Sequence, residues 1–357
     1  MTSTTAEVDT GPDNLTPAGR AALRAAHRLR TGWFTAQYLL SRRLSPRTDL
    51  PPEVRAAMPS AAILTADRDA LMLRDVDNIA AGLYRPPHDL LGSPLAALRR
   101  SIAYFADLAS VNRRRSGEEG PELAAEDAAE FPEYYRRAYH HQTDGYLSEK
   151  SARLYDHQVE VLFGGAADAM RRQALVPMHH FMQGRNSADI RMIDIACGTG
   201  HFLTFVKDNY PRLRCTALDI SPYYVAEARR NLAPWSRCAF VESAIETCDF
   251  PAAAFDVASC IYLFHELPAA MHGDTAAAIA RLVKPGGLFV LVDSLQYGDR
   301  PEYDALLESF PFAFHEPYYA DYLRQDLTRL FVEAGFDQQG IELAYLSRVM
   351  TFKRRGG

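Results

Sequence analysis

The residues with the clearest chemical potential form a seven-residue run, Asp194-Ile195-Ala196-Cys197-Gly198-Thr199-Gly200, followed nineteen positions later by Asp219. Glycines at such a turn let backbone approach a ligand closely, and a helix start beyond them offers unpaired N–H groups. A carboxylate closing the next strand is placed to accept hydrogen bonds from a ribose diol. Two further strings combine acids, bases and rings: Tyr262-Leu263-Phe264-His265-Glu266-Leu267-Pro268 and Phe314-His315-Glu316-Pro317-Tyr318-Tyr319, with Tyr322 beyond. His265, Glu266 and His315 are candidate general bases near neutral pH. Tyr318, Tyr319 and Tyr322 suit the wall of a pocket for a flat acceptor.

Stepping outward, short apolar runs at 190–196, 213–219, 237–242, 255–261 and 287–293 alternate with helical patterns at 201–209, 222–232 and 274–283. That alternation predicts a mostly parallel, Rossmann-like α/β sheet of about seven strands flanked by helices. A helix at about 320–334 and one or two closing strands within 341–352 complete it. In such sheets the ligand crevice lies beyond the carboxyl ends of the strands, where strand order reverses. Residues after the fourth and fifth strands should therefore face the chemistry. The first half reads as helical: one amphipathic helix from Pro17 to about Arg43, then segments at 53–59, 67–83, 94–113, 149–163 and 166–182. The expected division is a disordered tail over 1–15, an all-α region over 16–185 and the α/β domain over 186–357.

The dinucleotide fingerprint asks for a third glycine where Leu203 stands, and Asp194 precedes Gly198 by four residues instead. A ligand without phosphates but with an ammonium group suits that exchange. S-adenosylmethionine fits, its ribose on Asp219 and its aminocarboxypropyl end near Asp194 and the glycines. Together with Leu218-Asp219-Ile220-Ser221, Phe255-Asp256-Val257 and Leu282-Val283-Lys284-Pro285-Gly286-Gly287-Leu288, the run resembles the core of class I S-adenosylmethionine-dependent methyltransferases over residues 190–293. The Phe-His-Glu-Leu-Pro block looks like small-molecule enzymes, quinone-pathway C-methyltransferases among them. It is unlike the Asn/Asp-Pro-Pro-Tyr/Phe signature of nucleobase and protein-amide methylation.

The resemblance implies cofactor contacts from Asp194, Ala196, Gly198, Gly200, Asp219, Ile220 and Tyr262. Ser243 and Ala244 are carried over to the adenine by position alone, because Glu242-Ser243-Ala244 stands where Gly-Asp-Ala is common. Helices just before such a core usually form a lid, and residues 131–182 resemble a group of methyltransferases sharing the His-Gln-Thr-Asp-Gly-Tyr-Leu-Ser block. Tyr146 is thereby a catalytic candidate and His141 a substrate-binding one. The expected activity is methyl transfer to a small, conjugated or aromatic acceptor, with C- or O-methylation favoured. The alternative is a protein that binds the cofactor without methyl transfer, as a rearrangement or pericyclic catalyst or a regulatory binder.

Composition narrows the partners. Net charge is −6, from 39 basic and 45 acidic residues, with 48% apolar and 24% charged side chains. No basic excess marks a phosphate-backbone partner, so nucleic acid is not expected. The five cysteines occur within Cys197–Cys260 without a C-x-x-C pair and read as reduced thiols of a cytoplasmic protein. No signal peptide or membrane span is evident. Adjacent His pairs rarely share one ion and no His-x-x-x-His spacing occurs, so no metal is expected. Pairing of two copies through the N-terminal helices is the expected assembly.

Overall fold

The computed structural model describes residues 15–90, 92–116, 131–137, 139–142 and 144–356. The expected tail, Leu15 apart, and the loop beginning at Gly117 lie outside the described residues. Helices in the first half are α1 (Pro17–Leu44), α2 (Pro52–Ala57), α3 (Ala61–Ala80), α4 (Pro94–Arg115), α5 (Glu149–Leu162), α6 (Ala167–Arg172) and α7 (Leu175–Met182). Their starts are chemically marked. Thr16 accepts from the Gly19 N–H ahead of Pro17, and Ser60, Ser93 and Ser148 cap α3, α4 and α5 in the same way.

The single helix expected over 166–182 is two, α6 and α7. Pro177 has no N–H to give the Gln173 carbonyl, which instead accepts from Val176 in a tighter turn.

The second half alternates as expected: β1 (Arg191–Ile195), α8 (His201–Asn209), β2 (Arg214–Asp219), α9 (Pro222–Asn231), β3 (Cys238–Glu242), β4 (Phe255–Ile261), α10 (Ala269–Leu282) and β5 (Val283–Ser294). Then follow α11 (Asp304–Ala313), α12 (Tyr319–Tyr322), α13 (Leu327–Glu333), β6 (Phe336–Ala344) and β7 (Ser347–Arg354). The helix expected over 320–334 is thus interrupted. Gln296 reaches into the break and donates to the Tyr322 and Gln325 carbonyls, and Asp326 caps α13 afresh. The closing strands form an antiparallel hairpin longer than 341–352.

Seven strands make one sheet in the order β3-β2-β1-β4-β5-β7-β6. β1 to β5 are parallel, β7 runs antiparallel to β5, and the order reverses between β1 and β4. That reversal opens a crevice at the strands' carboxyl ends.

The helical half is not separately cored. Leu71, Val76, Met170 and Met178 share one apolar cluster with Ile193, Leu218 and Val290 of the sheet. Buried charges reinforce the junction. Asp168 takes Arg30 within the helical half and His201 across the junction, while Arg172 grips Asp75 inside the helical half through two hydrogen bonds of 3.0 and 2.7 Å. His201 opens α8, so the first helices are pinned to the start of the glycine-turn helix. The five cysteines are free thiols, and no helix among the described residues is long and apolar enough to cross a membrane.

Candidate active site

A cavity opens at the carboxyl ends of β1, β2, β3 and β4, roofed by Tyr134, Tyr135, Tyr139, Tyr146 and Tyr155. The strand ends contribute Ala196, Gly198, Asp219, Ile220, Ser243 and Ala244; Tyr262 and Glu266 follow from β4. Backbone turns sharply at this rim. Ala196 (φ 53°), Gly198 (φ 54°) and Tyr262 (φ 62°) all sit in the left-handed region. Non-glycine residues held there are uncommon and cluster at functional sites.

Asp219 is buried at the end of β2, where its two oxygens accept from the N–H groups of Gly198 (2.8 Å) and Ser221 (2.9 Å). Each oxygen keeps a further lone pair for a ligand hydroxyl. Burial pushes its carboxyl up to about 6, with those backbone donors opposing and Glu266 adding to the rise.

The roof is largely tyrosine. Tyr139 and Tyr146 stack at 5.4 Å, and Tyr146 meets Tyr155 and Tyr224 edge-on. Tyr146 spans the mouth. Its carbonyl accepts from the Ser221 hydroxyl at 2.6 Å, and its own hydroxyl donates to the Glu266 carboxylate at 2.5 Å. Thr199 of the glycine turn donates to Asp156 of α5, clamping the roof helix onto the turn.

Several expected site residues stand back from this cavity. Asp194 is buried behind β1 and accepts from the Ser259 hydroxyl at 2.5 Å. Burial lifts its carboxyl to about 7. Gly200 faces α9, where a Cβ would come within 3.0 Å of the Ala228 side chain; its role is helix packing. Tyr319 and Tyr322 are buried, and both hydroxyls are committed to Ser294. Tyr318 packs against the Tyr139–Tyr146 group.

His265 points away from the cavity to Asp293, with Nδ1 at 2.6 Å from the carboxylate. Burial disfavours its charge, yet Asp293 outweighs that and raises it to about 10. The pairing with Asp293 thus favours the imidazolium, which holds no lone pair to accept a proton. His141 and His315 face each other at 5.8 Å beyond Glu266. Burial depresses both, His141 to about 4.

The contributions of Asp293, Ser221, Asp156 and Tyr224 were not among the expected site residues. Asp293 had one available signal, a lone acid at the end of the apolar run Leu288-Phe289-Val290-Leu291-Val292. Among the described residues no group of three or more His, Cys, Asp or Glu side chains is arranged to hold a metal ion.

The residues present fit S-adenosylmethionine. Asp219 offers acceptors for a diol, Ile220 and Ile245 offer an apolar slot for a purine, and the tyrosine faces suit a sulfonium cation. The sheet order and this crevice define a class I, Rossmann-like methyltransferase fold. Residues 192–287 match the family described as "Methyltransferase domain", and the chain carries that domain.

Among known proteins, the chain is 26% identical over 103 residues to an uncharacterised methyltransferase of Synechocystis sp.. That alignment covers 29% of this chain and 46% of the relative, so the chain spans about half the length of that curated protein. A S-adenosylmethionine-dependent methyltransferase from Aquifex aeolicus superposes with a TM-score of 0.43 at 13% identity, covering 58% of this chain and 98% of that one. A 1,6-didemethyltoxoflavin-N1-methyltransferase from Burkholderia thailandensis superposes at 0.40 with 20% identity, covering 58% and 88%.

Proposed function

We propose that this protein is an S-adenosylmethionine-dependent methyltransferase acting on a small conjugated or aromatic acceptor by C- or O-methylation. The observation carrying this reading is the tyrosine-roofed cavity, lined by Asp219 and by Glu266 under Tyr146. Bound there, the cofactor supplies an electrophilic methyl group. The chain supplies alignment, water exclusion and a proton acceptor. Tyrosine faces above and Tyr262 below would sandwich a flat acceptor.

Three carboxylates line the cavity, and with Asp219 held by backbone N–H groups and Glu246 taking the Thr275 hydroxyl, Glu266 takes the role of base. His265 is a positioning cation behind it, 3.9 Å from the Glu266 carboxylate. We further place the protein in the cytoplasm, in keeping with its free thiols. We expect two copies to meet through α1, whose exposed Leu29, Trp33 and Leu40 lie on one face. Sedimentation would report that pairing.

Incubation with radiolabelled cofactor and an extract of small metabolites tests the activity. Labelled product and S-adenosylhomocysteine are expected. Tight cofactor binding with no label transferred to any metabolite would favour the non-transferring alternative.

A further inference from the structure

Behind Glu266 lies a set of ionisable side chains that cofactor binding does not use. His140 stands between two carboxylates: Nε2 is 3.9 Å from Glu266 Oε1, and Nδ1 is 3.4 Å from Glu316 Oε1. Glu316 is 3% exposed, and its second oxygen, Oε2, is buried with no hydrogen-bond partner. A buried carboxylate oxygen left bare is costly, and a proton on it removes the cost.

The backbone supports a functional reading. His140 (φ 54°), His141 (φ 56°) and His315 (φ 20°) all occupy the left-handed region, so two strained segments meet at this carboxylate. Strain at non-glycine residues and buried ionisable groups both concentrate at functional sites.

We propose that Glu266, His140 and Glu316 form a proton relay that takes the proton released during methyl transfer and stores it on Glu316. The inference rests on the methyltransferase reading above. As the bond from acceptor to methyl forms, the S–CH3 bond breaks and its electron pair stays on sulfur. The acceptor's proton passes to Glu266, then to Nε2 of His140, which releases the proton on Nδ1 to Glu316. Charge balances inside the site: one sulfonium is lost and one carboxylate is neutralised.

Other groups set the poise. Asp293 and His265 form a buried ion pair on the β5 side, and the Tyr146 and Tyr139 hydroxyls donate to the Glu266 side chain and carbonyl. Asp219 bears on Glu266 from the cofactor end, and Arg137 and Arg115 on the flanking His315 and His141. Burial raises the Glu316 carboxyl, His140 and His265 oppose that, and Glu266 and Asp293 add to it.

Proton-linked calorimetry tests the relay without an acceptor, using S-adenosylmethionine and S-adenosylhomocysteine at neutral pH in buffers of different ionisation enthalpy. The wild type should take up about one proton more with the uncharged thioether than with the sulfonium. Glu316→Gln should lose that difference while binding both ligands.

Infrared difference spectra of the wild type give a second readout: a protonated-carboxyl band with the thioether that is absent with the sulfonium, and absent in Glu316→Gln. Equal proton uptake for both ligands, no such band in the wild type, or a difference that survives Glu316→Gln would each overturn the relay. Failure of the wild type to bind either ligand would instead overturn the reading of the cavity, and the relay with it.

Discussion

The hydroxyl of Tyr146 donates to the Glu266 carboxylate at 2.5 Å, joining the roof of the cavity to the loop after β4. Burial and the nearby Glu266 hold the Tyr146 phenol well above its ordinary range, so the bond is a neutral donor on a carboxylate. Tyr146→Phe keeps the stack on Tyr139 and removes that bond alone. The cofactor's dissociation rate should rise roughly three- to ten-fold, the kinetic worth of one net hydrogen bond. Stopped-flow tyrosine fluorescence measures it; an unchanged rate would leave the bond without a closing role.

Asp219→Ala should weaken cofactor binding by about 10- to 100-fold, the worth of hydrogen bonds to a charged group. Calorimetry reads this directly. Wild-type affinity in the variant would remove the ribose assignment.

The same carboxylate predicts a pH dependence. Its folded pKa, pushed up to about 6, means that it gains a proton as pH falls through that value and loses acceptor capacity. Cofactor affinity should be level above about pH 7 and decline below 6. In Asp219→Asn that limb should be absent.

The Asp293–His265 pair makes a prediction about folding. His265 rises from an ordinary value of 6.5 to about 10 in the folded state. A raised histidine contributes stability that is fully present below its unfolded pKa and is lost as pH climbs through the folded one. Stability should therefore fall between about pH 6.5 and 10 in the wild type, and much less in His265→Gln. Asp293→Asn, which strands a buried cation, should cost about 3–5 kcal/mol at neutral pH by urea denaturation.

Gly200→Ala tests packing apart from binding. The residue has φ 70°, and an added Cβ would lie 3.0 Å from the Ala228 side chain and 3.2 Å from its Cα. Overpacking and left-handed strain together should cost about 2–4 kcal/mol. The folded fraction should still bind cofactor with near-normal affinity, since Gly200 does not face the cavity.

The α/β half was legible because its signals are local. Apolar runs bounded by turns, the glycine turn after β1 and the acid closing β2 all declare themselves within a few residues, and Ala196, Gly198, Asp219 and Ile220 do line the cavity. What stayed hidden depends on contacts between distant segments. His265 turns back to Asp293, a residue 28 positions on at the end of β5, and no spacing encodes that pairing. Tyr319 and Tyr322, expected on the pocket wall, are buried with both hydroxyls on Ser294, a partner some 25 residues away that no local pattern points to. The break between α12 and α13 is likewise made by Gln296, a residue outside that segment.

Ser221 connects two of these features. Its hydroxyl accepts from the Tyr224 N–H as the cap of α9 and donates to the Tyr146 carbonyl, while its own N–H holds Asp219. Lifting the roof therefore loosens a helix start and the diol-binding carboxylate in the same event. One serine thus ties the roof, a helix start and the Asp219 carboxylate into a single unit, so that local opening at any of the three is felt at the other two.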